Sequence, residues 1–162
     1  MKTIITSLLI IISLASYTQS VSRIVRQMDK DDFERARELA NKALEDNSQD
    51  PGVNFCLAWI AYEKDEYFTA YKHIITFRNN LDNLETDDKE DLMDYMKEEM
   101  TRMRKKSFEE RIEKKYSDIE ESTINYVRMK LDPELATKYI EMFPNSPYLE
   151  NTKHIRNHYA YI

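Results

Sequence analysis

One cysteine, one glycine and four prolines occur among 162 residues, and each scarcity removes a class of protein. The single thiol, Cys56, cannot close an internal disulfide, so packing must hold the core even in an oxidising compartment. One glycine excludes Gly-rich phosphate-cradling loops, and the apolar/polar alternation of strands is missing as well. Basic residues are outnumbered, 24 Lys and Arg against 30 Asp and Glu, for a formal net charge of −6. A surface of that sign lacks the basic patch that nucleic-acid phosphates or anionic lipids require. There is no serine-nucleophile motif and no H-E-x-x-H. Carboxylates lie on charged helix faces rather than among apolar residues that would perturb them, so an enzyme is not expected. What remains is an all-helical chain.

An apolar stretch opens the chain. Lys2 precedes Ile4 to Ala15, apolar apart from Thr6, Ser7 and Ser13, and small residues follow up to Ser20. This pattern reads as a secretory signal peptide over residues 1–20, with an apolar core shorter than the roughly 20 residues that span a bilayer. It resembles bacterial secretory signals. An uncleaved inner-membrane anchor is the competing reading. A lipoprotein anchor would need a cysteine at the cleavage point, and the only one is Cys56. Loss of Lys2 with the signal moves the charge from −6 to −7, and residues 21–162 suit a single domain. The expected location is periplasmic or secreted.

A block of residues then recurs after 34 positions. Lys30-Asp31-Asp32-Phe33, with Ala36, Ala40 and Ala43, returns as Lys64-Asp65-Glu66-Tyr67, with Ala70, Ile74 and Phe77. Two acidic residues, an aromatic and then a small residue describe a turn opening a helix that approaches its neighbour closely. Leu57, Ala58, Ala61 and Tyr62 supply the packing positions of a preceding helix, and Asp50-Pro51 separates the two blocks. With this period, the segment resembles the tetratricopeptide (TPR) helix–turn–helix repeat. Near the end, Tyr139-Ile140-Glu141-Met142-Phe143-Pro144-Asn145-Ser146-Pro147-Tyr148 is similar to the turn of TPR proteins of the bacterial envelope. The resemblance covers residues 21–79 and 132–160. It implies a short right-handed array of helical hairpins, about 7–8 helices in all, with a divergent middle.

That middle, residues 86–131, contains no Gly or Pro and reads as one long charged helix, or two breaking near Lys106. Ser107 and Glu110 are spaced for a capping box. Asp132-Pro133 opens a short helix carrying Leu135, Tyr139, Ile140 and Phe143. Ser146 and Pro147 are placed as N-cap and first residue of the last helix, whose face is Tyr148, Thr152, Ile155, Tyr159 and Ile162.

In a TPR array the first helix of each repeat lines a concave groove that binds peptides. Carried over by position, the resemblance puts Val25, Met28, Phe55, Trp59, Tyr62 and Glu63 on that groove. The alternative for Trp59 is core packing beneath the middle segment. The implied function is an exported, non-catalytic protein–protein interaction module, a subunit or accessory factor of an envelope complex. Its partner would be another envelope or secreted protein, with no cofactor. A second reading is a periplasmic copper- or zinc-binding protein. It would use the stripe that includes Met96, Met100 and Met103, and the pair His154 and His158, four apart on one helix face with Glu150 one turn earlier.

Overall fold

The computed structural model describes residues 21–100 and 106–160, except the side chains of residues 98 and 99. The described residues form helices joined by turns and short connections, without strands. Residues 21–28 are helical (α1). There follow α2 (Phe33–Asp46), α3 (Pro51–Glu63), α4 (Tyr67–Asn79), a 3-10 turn (Leu81–Asn83), α5 (Thr86–Glu99), α6 (Phe108–Lys130), α7 (Pro133–Met142) and α8 (Leu149–Tyr159). The proposed signal segment lies outside the described residues. No described helix is long and apolar enough to cross a membrane.

Where one domain is expected, the chain forms two compact units, divided within α6 between Ile112 and Glu113. In the first unit α3 packs on α2, α4 and α5. The sequence of α3 explains its place. From Pro51 to Ala61 every residue is buried, so the helix is apolar on all sides and must be enclosed. Its N-terminus is fixed by the Asp50 side chain, which accepts from the Val53 N–H at 2.9 Å, with Pro51 in the first turn. Buried Asn54 ties the neighbours in. Its Nδ2 donates to Asp50 O at 2.7 Å and Ser48 O at 3.2 Å, and its Oδ1 meets His73 Nδ1 of α4 at 2.9 Å.

The 34-residue recurrence is repeated in the backbone. Asp31 and Asp65 both have φ of 58°, a left-handed conformation that short polar side chains tolerate. Asp32 N–H reaches back to Gln27 O at 3.0 Å, and Glu66 N–H to Ala61 O at 2.8 Å. These bonds satisfy carbonyls left open at the ends of α1 and α3. Five residues past each left-handed position stand Ala36 and Ala70, both fully buried. A looser third copy precedes α7, where Leu131 has φ of 50° and fully buried Ala136 is again five residues on.

Among the described residues the middle segment forms two helices, α5 and α6. Ser107 Oγ accepts from Glu110 N–H at 3.2 Å while Glu110 Oε2 accepts from Ser107 N–H at 2.9 Å, the expected capping box at the start of α6. The second unit comprises the rest of α6 with α7 and α8. Asp132 caps α7, accepting from Glu134 N–H at 2.7 Å. The final helix differs from expectation. It starts at Leu149 rather than Pro147, although Ser146 Oγ does accept from Tyr148 N–H at 3.1 Å; the same oxygen lies 2.7 Å from the buried Tyr139 hydroxyl. Thr152 and Ile155 are buried as their spacing predicts, and Ile162 lies outside the described residues. Leu57, Ala58, Ile74 and Tyr139 are buried and Leu39 is half-buried. Glu34, Lys42 and Lys72 are exposed.

Ala36, Ala70 and Ala136 are fully buried. Each changed singly to Leu should lose about 1–3 kcal/mol by overpacking, while Lys42→Leu on the exposed face of α2 should stay within about 0.5 kcal/mol of the parent. Thermal or urea melts of the four variants check this. Alanine variants that melt like the control would remove the close-approach role of these positions.

Candidate functional site

The residues assigned to a groove do not line an open one. Val25 and Met28 of α1 and Phe55 and Trp59 of α3 are all buried. Trp59 sits edge-on to Tyr95 of α5, ring centroids 5.1 Å apart, and Phe55 lies between Trp59 and Phe77 of α4 at 5.8 and 5.2 Å. The core alternative for Trp59 therefore holds, since the chain's own α5 packs over the surface a partner would have used. Only Tyr62, half-buried, and Glu63, exposed, remain accessible from that set.

The metal alternative is similarly dispersed. Met96 is fully buried, Met100 is half-buried and Met103 lies outside the described residues. His154 and His158 are exposed and stacked, ring centroids 5.4 Å apart. Glu150, the third ligand considered, pairs with Lys153 at 2.7 Å. Among the described residues no three His, Cys, Asp or Glu side chains are grouped to hold a metal ion. Cys56 is fully buried. Burial, then the nearby Asp88, Asp50 and Asp91, pushes its thiol well above the usual range, the reverse of an activated thiolate.

A cleft of about 470 Å³ runs along the outer side of α5, lined by Thr86, Lys89, Glu90, Met93, Asp94 and Lys97 with Phe108. Lys89 bridges it, 3.2 Å from Glu109 Oε1 and with its Nζ 4.9 Å from the centre of the Phe108 ring. Its floor is apolar and its rim carries both charges.

A second cleft, of about 280 Å³, is polar and was not read from the sequence. Three segments build it: the α2–α3 connection (Asn47, Asp50), the end of α4 and its 3-10 turn (Asn80, Asn83), and the start of α5 (Glu85, Asp88). Asp50 and Asp88 are only 3 % and 4 % exposed. They converge beside Gly52, the one glycine. A methyl group there would lie 3.3 Å from Asp88 Oδ2, 3.5 Å from Asp50 Oδ1 and 2.7 Å from Val21 Cγ2, so a side chain would displace α1 or the carboxylates. Asp88 Oδ1 has no hydrogen-bond partner. Burial first, then the charges of Asp50, Glu85, Asp91 and Asp87, raises the Asp88 carboxyl to about 7. Asp88 stands in the first turn of α5, where a carboxylate also suits the helix dipole. Nothing in the spacing of Asp87, Asp88 and Glu90 distinguishes the one that turns inward.

Because the folded carboxyl titrates above its unfolded value, the native state binds the extra proton. Its contribution to stability is full below the unfolded value near 4 and is lost as pH rises through about 7. Asp88→Asn should therefore stabilise the protein at pH 8 by roughly 1–4 kcal/mol, and the gain should fade below about pH 5. Urea unfolding at the two pH values measures it. An equal effect at both would show that Asp88 is not a buried, strained carboxylate.

No protein-family model, curated protein or solved structure matches this chain.

Proposed function

We propose that this protein is an exported, non-catalytic module of TPR-like helical repeats that binds another protein of the cell envelope or extracellular space. One observation carries most of the weight. The left-handed turn, its capping hydrogen bonds and the buried alanine recur together after 34 residues, as a repeated structural unit requires. Two such units cannot by themselves enclose an apolar α3, and short solenoids need a cap. In this reading α5 is that cap, occupying the inner surface and presenting its own outer side instead. The cleft of Met93 and Phe108, rimmed by Lys89, Glu90, Asp94 and Lys97, then becomes the contact surface. An apolar floor ringed by charges of both signs suits a protein segment better than a nucleic acid or a lipid surface. The export half rests on residues 1–20 alone.

Photo-crosslinking in the native host tests both halves. A crosslinker at Glu90 or Met93 should give one discrete adduct, and the same group at Lys42 or Lys72 should give none. The recovered chain should begin near Val21 by mass. The same adduct ladder from all four positions, or none from any, would contradict the contact surface. A full-length chain confined to the cytosol would contradict export.

A further inference from the structure

We infer that α5 is a pH-sensitive latch, closed over the apolar side of α3 while the Asp88 carboxyl is protonated and released from it when that carboxyl ionises. This goes beyond the loss of overall stability argued above, because it assigns the change to one helix. It stands whether or not the outer side of α5 is a contact surface.

The register of α5 on α3 comes first. Gly52 of α3 lies against Asp88, since a methyl group there would come within 3.3 Å of Asp88 Oδ2. Seven residues further along each helix, Trp59 meets Tyr95 edge-on, ring centroids 5.1 Å apart. The two helices therefore run side by side in the same direction for about two turns. Asp88, Leu92, Tyr95 and Met96 fall at helical spacing on one face of α5, and each is buried. Leu92, Tyr95 and Met96 match the apolar side of α3. Asp88 sets a carboxyl group into the same seam.

That position suits only one protonation state. Asp88 Oδ1 is closed off from solvent and has no hydrogen-bond partner among the described residues. The polar cleft beside it carries the amides of Asn47, Gln49, Asn80 and Asn83, and none of them reaches that oxygen. The charges that bear on the carboxyl are Asp50 from α3 and Glu85, Asp87 and Asp91 from α5 itself, all acidic. Cys56 of α3 also faces it, as a neutral thiol. Lys89, the next residue, is turned to Glu109 and Phe108 instead. A protonated carboxyl is a small polar group in this seam. An ionised one is a buried anion among other anions, with one oxygen unbonded.

Relief is available locally. Less of α3 is covered by α5 than by α2 or α4, and Glu85, at the N-cap position of α5, makes no side-chain capping bond. Undocking α5 returns Asp88 to water and leaves the hydrogen bonds within α3 untouched. In the closed state the carboxyl titrates at about 7, against about 4 for an exposed aspartate, which fixes the sign. Closure is strongest below the lower value and weakens as pH rises through the upper one.

Hydrogen exchange of the full chain at pH 5 and pH 8, read as protection factors to remove the intrinsic pH dependence, tests the latch. Amides of residues 92–96 should exchange through a local opening, less protected than those of α3 and indifferent to low urea. Their protection should fall about tenfold or more from pH 5 to pH 8 in the parent and hold steady in Asp88→Asn. Glu85→Gln, which removes one neighbouring charge, should move the midpoint to lower pH. Cys56, the only thiol, gives a second readout. Its labelling by a methanethiosulfonate, relative to the urea-unfolded chain at the same pH, should rise about tenfold or more in the parent and stay level in Asp88→Asn. Protection of residues 92–96 that ignores pH, or falls equally in Asp88→Asn, would overturn the proposal. So would exchange there with the same protection and urea dependence as α3 at both pH values, which would place the effect on global unfolding.

Discussion

The enclosure of α3 is the constraint on which the first unit depends. A helix of thirteen residues with its first eleven positions buried has no face left for solvent. Each of its larger apolar side chains contributes about 1.5–3 kcal/mol only if it is fully covered. Coverage by α2 and α4 alone would follow from the repeat. Packing of α5 supplies a further side, with Tyr95 meeting Trp59, and Val21 of α1 reaches to within 2.7 Å of where a side chain on Gly52 would begin. A groove lined by Phe55 and Trp59 and a fully enclosed α3 are mutually exclusive, and the chain adopts the second.

Enclosure has an electrostatic consequence. An apolar helix with an Asp-Pro start brings its capping carboxylate inward, and the first turn of α5 adds another beside it. Asp50 serves the Val53 N–H, whereas Asp88 Oδ1 receives no hydrogen bond in compensation for its desolvation. The raised Asp88 carboxyl and the raised Cys56 thiol are two signs of the same low-dielectric, negatively charged neighbourhood. Arg111, also buried, donates through Nε to Lys106 O at 3.2 Å and leaves its terminal nitrogens unpaired. No charge pattern in the sequence marks it as buried.

Local signals were legible where one physical cause dominates. The 34-residue recurrence marked the turns that open α2 and α4 because small residues and acidic turns act within a few positions of themselves. Ser107 and Glu110 marked the start of α6 for the same reason. Ser146 was legible as an acceptor for the backbone two residues on, but its second bond, to Tyr139, depends on a residue seven positions away. Trp59 was ambiguous in a deeper sense. An aromatic on the first helix of a repeat looks the same whether a partner or the chain's own α5 covers it. The polar cleft was illegible because its residues come from three separate segments, each an ordinary cap or turn by itself.

Native-state hydrogen exchange of the full chain measures the enclosure of α3 most directly. Backbone amides of residues 55–61 should exchange only through global unfolding and be the slowest in the first unit, with those of α2 faster. Exchange in α3 as fast as in α2, or protection that is lost without global unfolding, would contradict the account.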